Sequence, residues 1–167
     1  MKTRAGRKVA SDWTFKITQA TPSVMNVSYD VRFHAKSNPD WADQLTGEIM
    51  VWLNHQGGAG PLGAKTVRLT VGGVAWDLYA GKIVNRDGGG RVTSGWNVYA
   101  YVRASPVTSA HTDITQLAQR LVGRGRLQNT KYLTSVEIRY GGVHRQGTAG
   151  HQRVLPVGAL TDRLTRP

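Results

Sequence analysis

The 167-residue chain contains no cysteine, which removes disulfide frameworks, thiolate metal sites and cysteine nucleophiles. No run approaches the ~20 apolar residues of a membrane span, and the basic start MKTRAGRKVASDW is not followed by the apolar stretch of an export signal. The five histidines include no HxH or HExxH spacing, so the sequence offers no metal site and points to no cofactor. Acidic residues are scarce. Ten Asp and Glu stand against 22 Lys and Arg, a formal net charge of +12, and only two of the ten, Glu48 and Glu137, are glutamates.

What is present describes one folded domain over residues 1–167. Hydrophobic content of 40% with 20 glycines fits a turn-rich globular chain and not a disordered one. The positive field favours polyanions, nucleic acid or acidic glycans among them. The arginines are scattered, with no recognition-helix, zinc or RNP-type pattern, so specific nucleic-acid binding is disfavoured although charge alone leaves it open. Oligomeric state is not legible.

Alternation with period two dominates the chain. In NVSYDVRF, residues 26–33, Val27, Tyr29, Val31 and Phe33 take one face and Ser28, Asp30 and Arg32 the other, the pattern of a half-buried strand. In EIMVWL, Ile49, Val51 and Leu53 form an aliphatic face opposite Glu48, Met50 and Trp52. TVRLTV, Gly72-Gly73 and VAWDLYA read as a hairpin. WNVYAYVR and YLTSVEIRY are further strands. A single helix is predicted, capped by Thr112 or Asp113, with a stripe of Ile114, Leu117, Ala118 and Leu121 and with Gly123 as its C′ residue. Many strands and one helix give an all-β sandwich.

Gly58, Gly60 and Gly63 match G-x-G-x-x-G, but Pro61 interrupts the loop and a strand follows it; a dinucleotide site requires a helix there. The carboxylates are more informative. A glutamate on a strand is usually solvated, yet Trp52 shares the face of Glu48 and offers a sugar-stacking platform, and Asp30 on another strand can hydrogen-bond it.

SDWTF, SYDVRF, GEIMVWL, GGAGPLG, VAWDLYAG, WNVYAYV and KYLTSVEI, in that order over residues 11–138, resemble the family 12 glycoside hydrolases, the cellulase and xyloglucanase jelly rolls. The resemblance implies a jelly-roll β-sandwich of two antiparallel sheets with one packed helix, and retaining hydrolysis of β-1,4-glucan, a polysaccharide partner. It implies an extracellular location. It makes Glu48 the nucleophile, Asp30 its supporting aspartate, Met50 and Trp52 cleft-lining residues, and Pro61 the proline of the adjoining loop. The second reading is a noncatalytic glycan-binding or structural sandwich.

One element of the resemblance is broken. Retention requires a second carboxyl group about 5 to 5.5 Å from the nucleophile. Family members carry it just after the strand resembling YLTSVEI, where an ungapped match places Gly141. Glu137 lies four residues earlier, about 13 Å along a strand, and His144 is a substitute acid only if it approaches. The stretch RYGGVHRQGTAGHQRVLPV, residues 139–157, can be encoded by codons that read GTEVFTGRGQLDTNAFSL one nucleotide later, a likeness of the family's acid motif and closing strand. The hypothesis is a displaced reading frame after Ile138, and a gene whose codons give no such second reading overturns it.

Overall fold

The computed structural model describes residues 2, 8–18, 24–142 and 152–155. Nine strands and one helix follow in the order β1 (Ala10–Thr14), β2 (Met25–His34), β3 (Gly47–Gln56), β4 (Ala64–Val71), β5 (Val74–Arg86), β6 (Val92–Arg103), β7 (Ser109–Asp113), α1 (Ile114–Gly123), β8 (Tyr132–Gly142) and β9 (Gln152–Leu155). Each alternating segment of the sequence became a strand because one side of it can be buried. Tyr29, Val31 and Phe33 of β2 and Ile49, Val51 and Leu53 of β3 are almost fully enclosed in the core. The β4–β5 hairpin closes through Gly72 and Gly73, at φ 58° and 75°, the paired left-handed conformation of a tight hairpin turn.

Seven strands form one sheet in the order β4-β5-β6-β3-β2-β8-β9, and β1 and β7 form a second. The two layers enclose the core together with α1, whose Ile114, Leu117, Ala118 and Leu121 are buried. Tyr101 ties sheet to helix by donating its hydroxyl to the Leu117 carbonyl at 2.9 Å. The small outer layer leaves a groove of about 390 Å³ on the core side, lined among others by Trp13, Phe15, Met25 and Tyr140. No helix among the described residues is long and apolar enough to cross a membrane.

Three details depart from the sequence reading. The pairings are antiparallel except that of β3 with β6, which is parallel, with Glu48 opposite Val98 and Trp52 opposite Val102. Because β5 is antiparallel to both β4 and β6, β4 runs in the same sense as β3. The connection over residues 57–63 must therefore double back. At the helix end, Asp113 is the N-cap and accepts from Gln116 N at 2.8 Å, but Gly123 is the last helical residue and not C′. Arg124 is the cap, and the left-handed residue that turns the chain is Gly125, at φ 66°. The outer strands β1 and β7 were not read as strands; five residues each are too short for alternation to stand out.

Candidate active site

The face of the seven-stranded sheet turned away from the core carries most of the buried charge. Register fixes its layout. Across β2 and β3, Arg32 is opposite Glu48, Asp30 opposite Met50 and Ser28 opposite Trp52. Across β2 and β8, Ser135 is opposite Arg32, Glu137 opposite Asp30, Arg139 opposite Ser28 and Gly141 opposite Asn26. Side chains of residues directly paired across a sheet share a face, so Asp30, Glu48 and Glu137 stand on one surface with Arg32 and Arg139 among them.

Glu48 is 7% exposed and is held by the indole of Trp96, whose Nε1 donates to Oε2 at 2.9 Å. A buried carboxylate keeps its charge only if donors replace lost water, and Trp96 is such a donor. It sits on β6 two residues before Val98, the register partner of Glu48. Sequence reading passed over this tryptophan; the signal was its place two residues, hence one face repeat, before the segment that pairs with EIMVW.

Asp30 has no exposed surface. Its Oδ2 lies 2.7 Å from Nε of Arg139, an ion pair without an aligned hydrogen bond, and the Ser28 hydroxyl donates to Oδ1 at 3.4 Å. Burial pushes its carboxyl up to about 7; Arg139 opposes the rise, and the negative charges of Glu48 and then Glu137 add to it. At neutral pH Asp30 is thus close to half protonated, beside a second acid. Glu137 is 3% exposed, and its Oε1 lies 3.0 Å from Nη1 of Arg32.

Trp52 does not present an open stacking platform. It is 3% exposed and clusters with Ala59 and Val102, with Met50 and Tyr79 packed against them. The cause is the doubling back of residues 57–63, which lays Ala59 over the indole. Farther along that loop, Gly63 adopts φ 89° and a Cβ there would lie 2.0 Å from the Ala80 carbonyl oxygen, while a Cβ on Gly81 would meet Leu62 at 2.8 Å. Of the glycines in GGAGPLG, Gly63 is the one this close approach to β5 requires, whereas an added carbon on Gly58 or Gly60 would meet nothing within 4 Å. Pro61 is half-buried in the same loop.

Gly141 stands on β8 opposite Asn26, four residues along β2 from Asp30. The β8 side chain that reaches Asp30 belongs instead to Arg139. His144 lies outside the described residues, as does the displaced-frame stretch apart from residues 139–142 and 152–155. Of the latter, Gln152–Leu155 form β9, paired antiparallel with β8. No group of three or more metal-ligating side chains is arranged for an ion among the described residues.

A sandwich whose large sheet bears a fixed, buried glutamate on the same face as a second buried acid, Asp30, has the outline of a carbohydrate-active β-sandwich. The family model for glycosyl hydrolase family 12 matches residues 7–152, and the chain belongs to that family. It is 34% identical over 135 residues to endoglucanase S of Pectobacterium parmentieri, covering 80% of this chain and 48% of that protein. It is 32% identical over 132 residues to xyloglucan-specific endo-β-1,4-glucanase A of Emericella nidulans, covering 77% and 49%. The fold superposes on a native family 12 xyloglucanase from Bacillus licheniformis with a TM-score of 0.70 and 30% identity, over 80% of this chain and 54% of that one. An endoglucanase from Rhodothermus marinus gives 0.65 and 28%. The chain spans about half the length of the curated relatives it matches.

Proposed function

We propose that the chain carries the nucleophile side of a retaining β-1,4-glucan hydrolase, with Glu48 attacking the anomeric carbon. The observation that supports this most is the fixing of the Glu48 carboxylate by Trp96 at 2.9 Å on the strand beside Asp30. A carboxylate held by one donor keeps its other oxygen free for attack, and the loss of rotational freedom is settled before substrate arrives. Asp30, in its protonated form, spares Glu48 a like-charge neighbour while the bond to the sugar forms; once it ionises, the two charges oppose each other. The named relatives are an endoglucanase and a xyloglucan-specific endo-β-1,4-glucanase, which supports β-1,4-linked glucan as the substrate class. Met50 and Trp52 form the apolar support beneath that site, and Pro61 shapes the loop over it.

The noncatalytic reading draws on a specific observation. Among the described residues, no second carboxyl group is set to act as the acid: Gly141 has none to offer, and Glu137 is drawn to Arg32, two strands and two residues from Glu48, roughly 12 Å at the backbone. General acid catalysis contributes about 10²- to 10⁴-fold, so its loss slows the reaction without removing the nucleophile. An aryl β-cellobioside with a good leaving group separates the two readings, since it needs little protonation on departure. Release of the aryl group above that of Glu48→Gln supports the hydrolase; equal release, with glucan binding retained, supports the binding module.

A further inference from the structure

We propose that Trp41 is a stacking platform for a neutral β-glucan chain, placed beyond the Glu48 site so that one polymer reaches both; the inference rests on the glucan reading above. The indole is 98% exposed, against 53% for Val92, the next most exposed large apolar side chain among the described residues. A single apolar side chain on a surface is ordinary. What sets this one apart is the turn that carries it. Asp40 N donates to Oδ2 of Asp43 at 2.8 Å, and Ala42 N to Oδ1 of Asp40 at 2.8 Å. Asp43 N donates to the Asp40 carbonyl at 3.2 Å, and Nζ of Lys36 lies 2.8 Å from Oδ1 of Asp43. Pro39 fixes φ at the entry. The backbone on both sides of Trp41 is tied down while the ring is left bare, so little further ordering is needed when a flat ligand covers it.

The turn stands at the Glu48 end of the large sheet. β2 ends at His34 and β3 begins at Gly47, and Thr46 closes the loop between them, giving its backbone N–H at 2.8 Å and its hydroxyl at 3.0 Å to the Phe33 carbonyl. His34 continues along β2 the alternation of Asp30 and Arg32, and Asp43 lies near enough for its charge to act on that ring. The turn is thereby set against the end of the face that bears Glu48. Trp41 precedes Glu48 by seven residues, which span at most about 25 Å, a distance that a glucan of several rings covers. The ligand class follows from what surrounds the indole. A β-1,4-linked glucose ring keeps its hydroxyls equatorial, so its faces present C–H bonds that lie flat on an aromatic ring. Asp40 gives one oxygen to Ala42 N and keeps acceptor sites for a hydroxyl at the rim of that sugar. Asp40 and Asp43 against Lys36 leave the turn locally acidic on a chain of net charge +12, so a polyanion settles elsewhere.

The test is affinity electrophoresis of the full chain, run toward the cathode in gels with and without xyloglucan or hydroxyethyl cellulose, beside Trp41→Ala and Trp41→Tyr. Trp41→Ala should bind both glucans about 3- to 10-fold more weakly, the size of an aromatic stacking contact. Trp41→Tyr should fall in between, and the three melting temperatures should agree. Tryptophan emission of the wild-type chain should move to shorter wavelength on adding xyloglucan, and Trp41→Tyr should lose most of that shift. Polygalacturonate, an anionic polymer, should be held equally by the wild-type chain and Trp41→Ala and be released by salt. Glucans held equally by the wild-type chain and Trp41→Ala overturn this inference and leave the glucan reading standing. Absence of retention on either glucan also overturns it, and Glu48-dependent release from the aryl β-cellobioside, measured in parallel, then decides whether the hydrolase reading falls too. A loss on polygalacturonate equal to that on glucan overturns the assignment to a neutral sugar.

Discussion

Replacing Asp30 with asparagine keeps the size of the side chain and removes its titration. In the folded chain this carboxyl ionises at about 7 against an ordinary 3.8, raised first by burial, then by Glu48 and Glu137, with Arg139 pulling the other way. The folded state therefore binds a proton more tightly than the unfolded chain. Asp30's favourable contribution is fully present below pH ~4, is lost as pH rises from about 4 to about 7, and changes little above that. At 1.36 kcal/mol per decade of proton affinity, the shift from 3.8 to about 7 amounts to about 4 kcal/mol, a large share of the 5–15 kcal/mol that holds a domain together. Urea unfolding at pH 4, 5.5, 7 and 8.5 measures it. Wild-type stability should carry a downward slope across this window that is missing in Asp30→Asn, the two proteins differing by about 4 kcal/mol in their change from pH 4 to pH 8.5. Parallel curves would refute the reasoning.

Three further outcomes follow from the geometry. Trp52→Ala should destabilise by about 3–5 kcal/mol in denaturant unfolding, because the indole is 3% exposed beneath Ala59; an exposed stacking residue would cost far less stability and mainly glucan affinity. Trp96→Phe retains the ring but not the N–H at 2.9 Å from Glu48. A hydrogen bond to a charged group contributes about 1.5–3 kcal/mol, so kcat/KM for the aryl cellobioside should fall about 10- to 100-fold, and the melting temperature should fall with it because the buried carboxylate loses its donor. Gly63→Ala places a methyl 2.0 Å from the Ala80 carbonyl oxygen at φ 89°, and thermal unfolding should register a loss of about 2 kcal/mol or more, whereas Gly60→Ala, with nothing within 4 Å of the added carbon, should be nearly neutral.

The strands that hold the candidate site were legible because burial on one side imposes period two. Glu48, Met50 and Trp52 were placed together by that rule alone, and so was Asp30 on the polar face of its own strand. The rest depended on register and on chain direction, which alternation does not encode. Nothing in EIMVWL shows that β6 runs parallel to it, so the return of residues 57–63 over Trp52 could not be foreseen, and the indole was read as open. Trp96 was visible as a residue, but its bond to Glu48 spans 48 positions. Arg139 was read as the first residue of the stretch with a second reading frame; pairing with β2 set it against Asp30. The helix was read correctly at its capped start, where a side chain fixes the end, and two residues short at its finish, where Gly123 and Gly125 both fit the composition of a stop.

Glu48 as the attacking group is tested most directly by trapping. A 2-deoxy-2-fluoro-cellobioside with a dinitrophenyl leaving group slows the second step more than the first, so the glycosyl-enzyme accumulates, and peptide mass spectrometry locates the sugar. The account predicts one fluorocellobiosyl group per chain, esterified to Glu48 and absent from Glu48→Gln. A label on another residue, or phenolate release by the wild-type chain with no label anywhere, would contradict it.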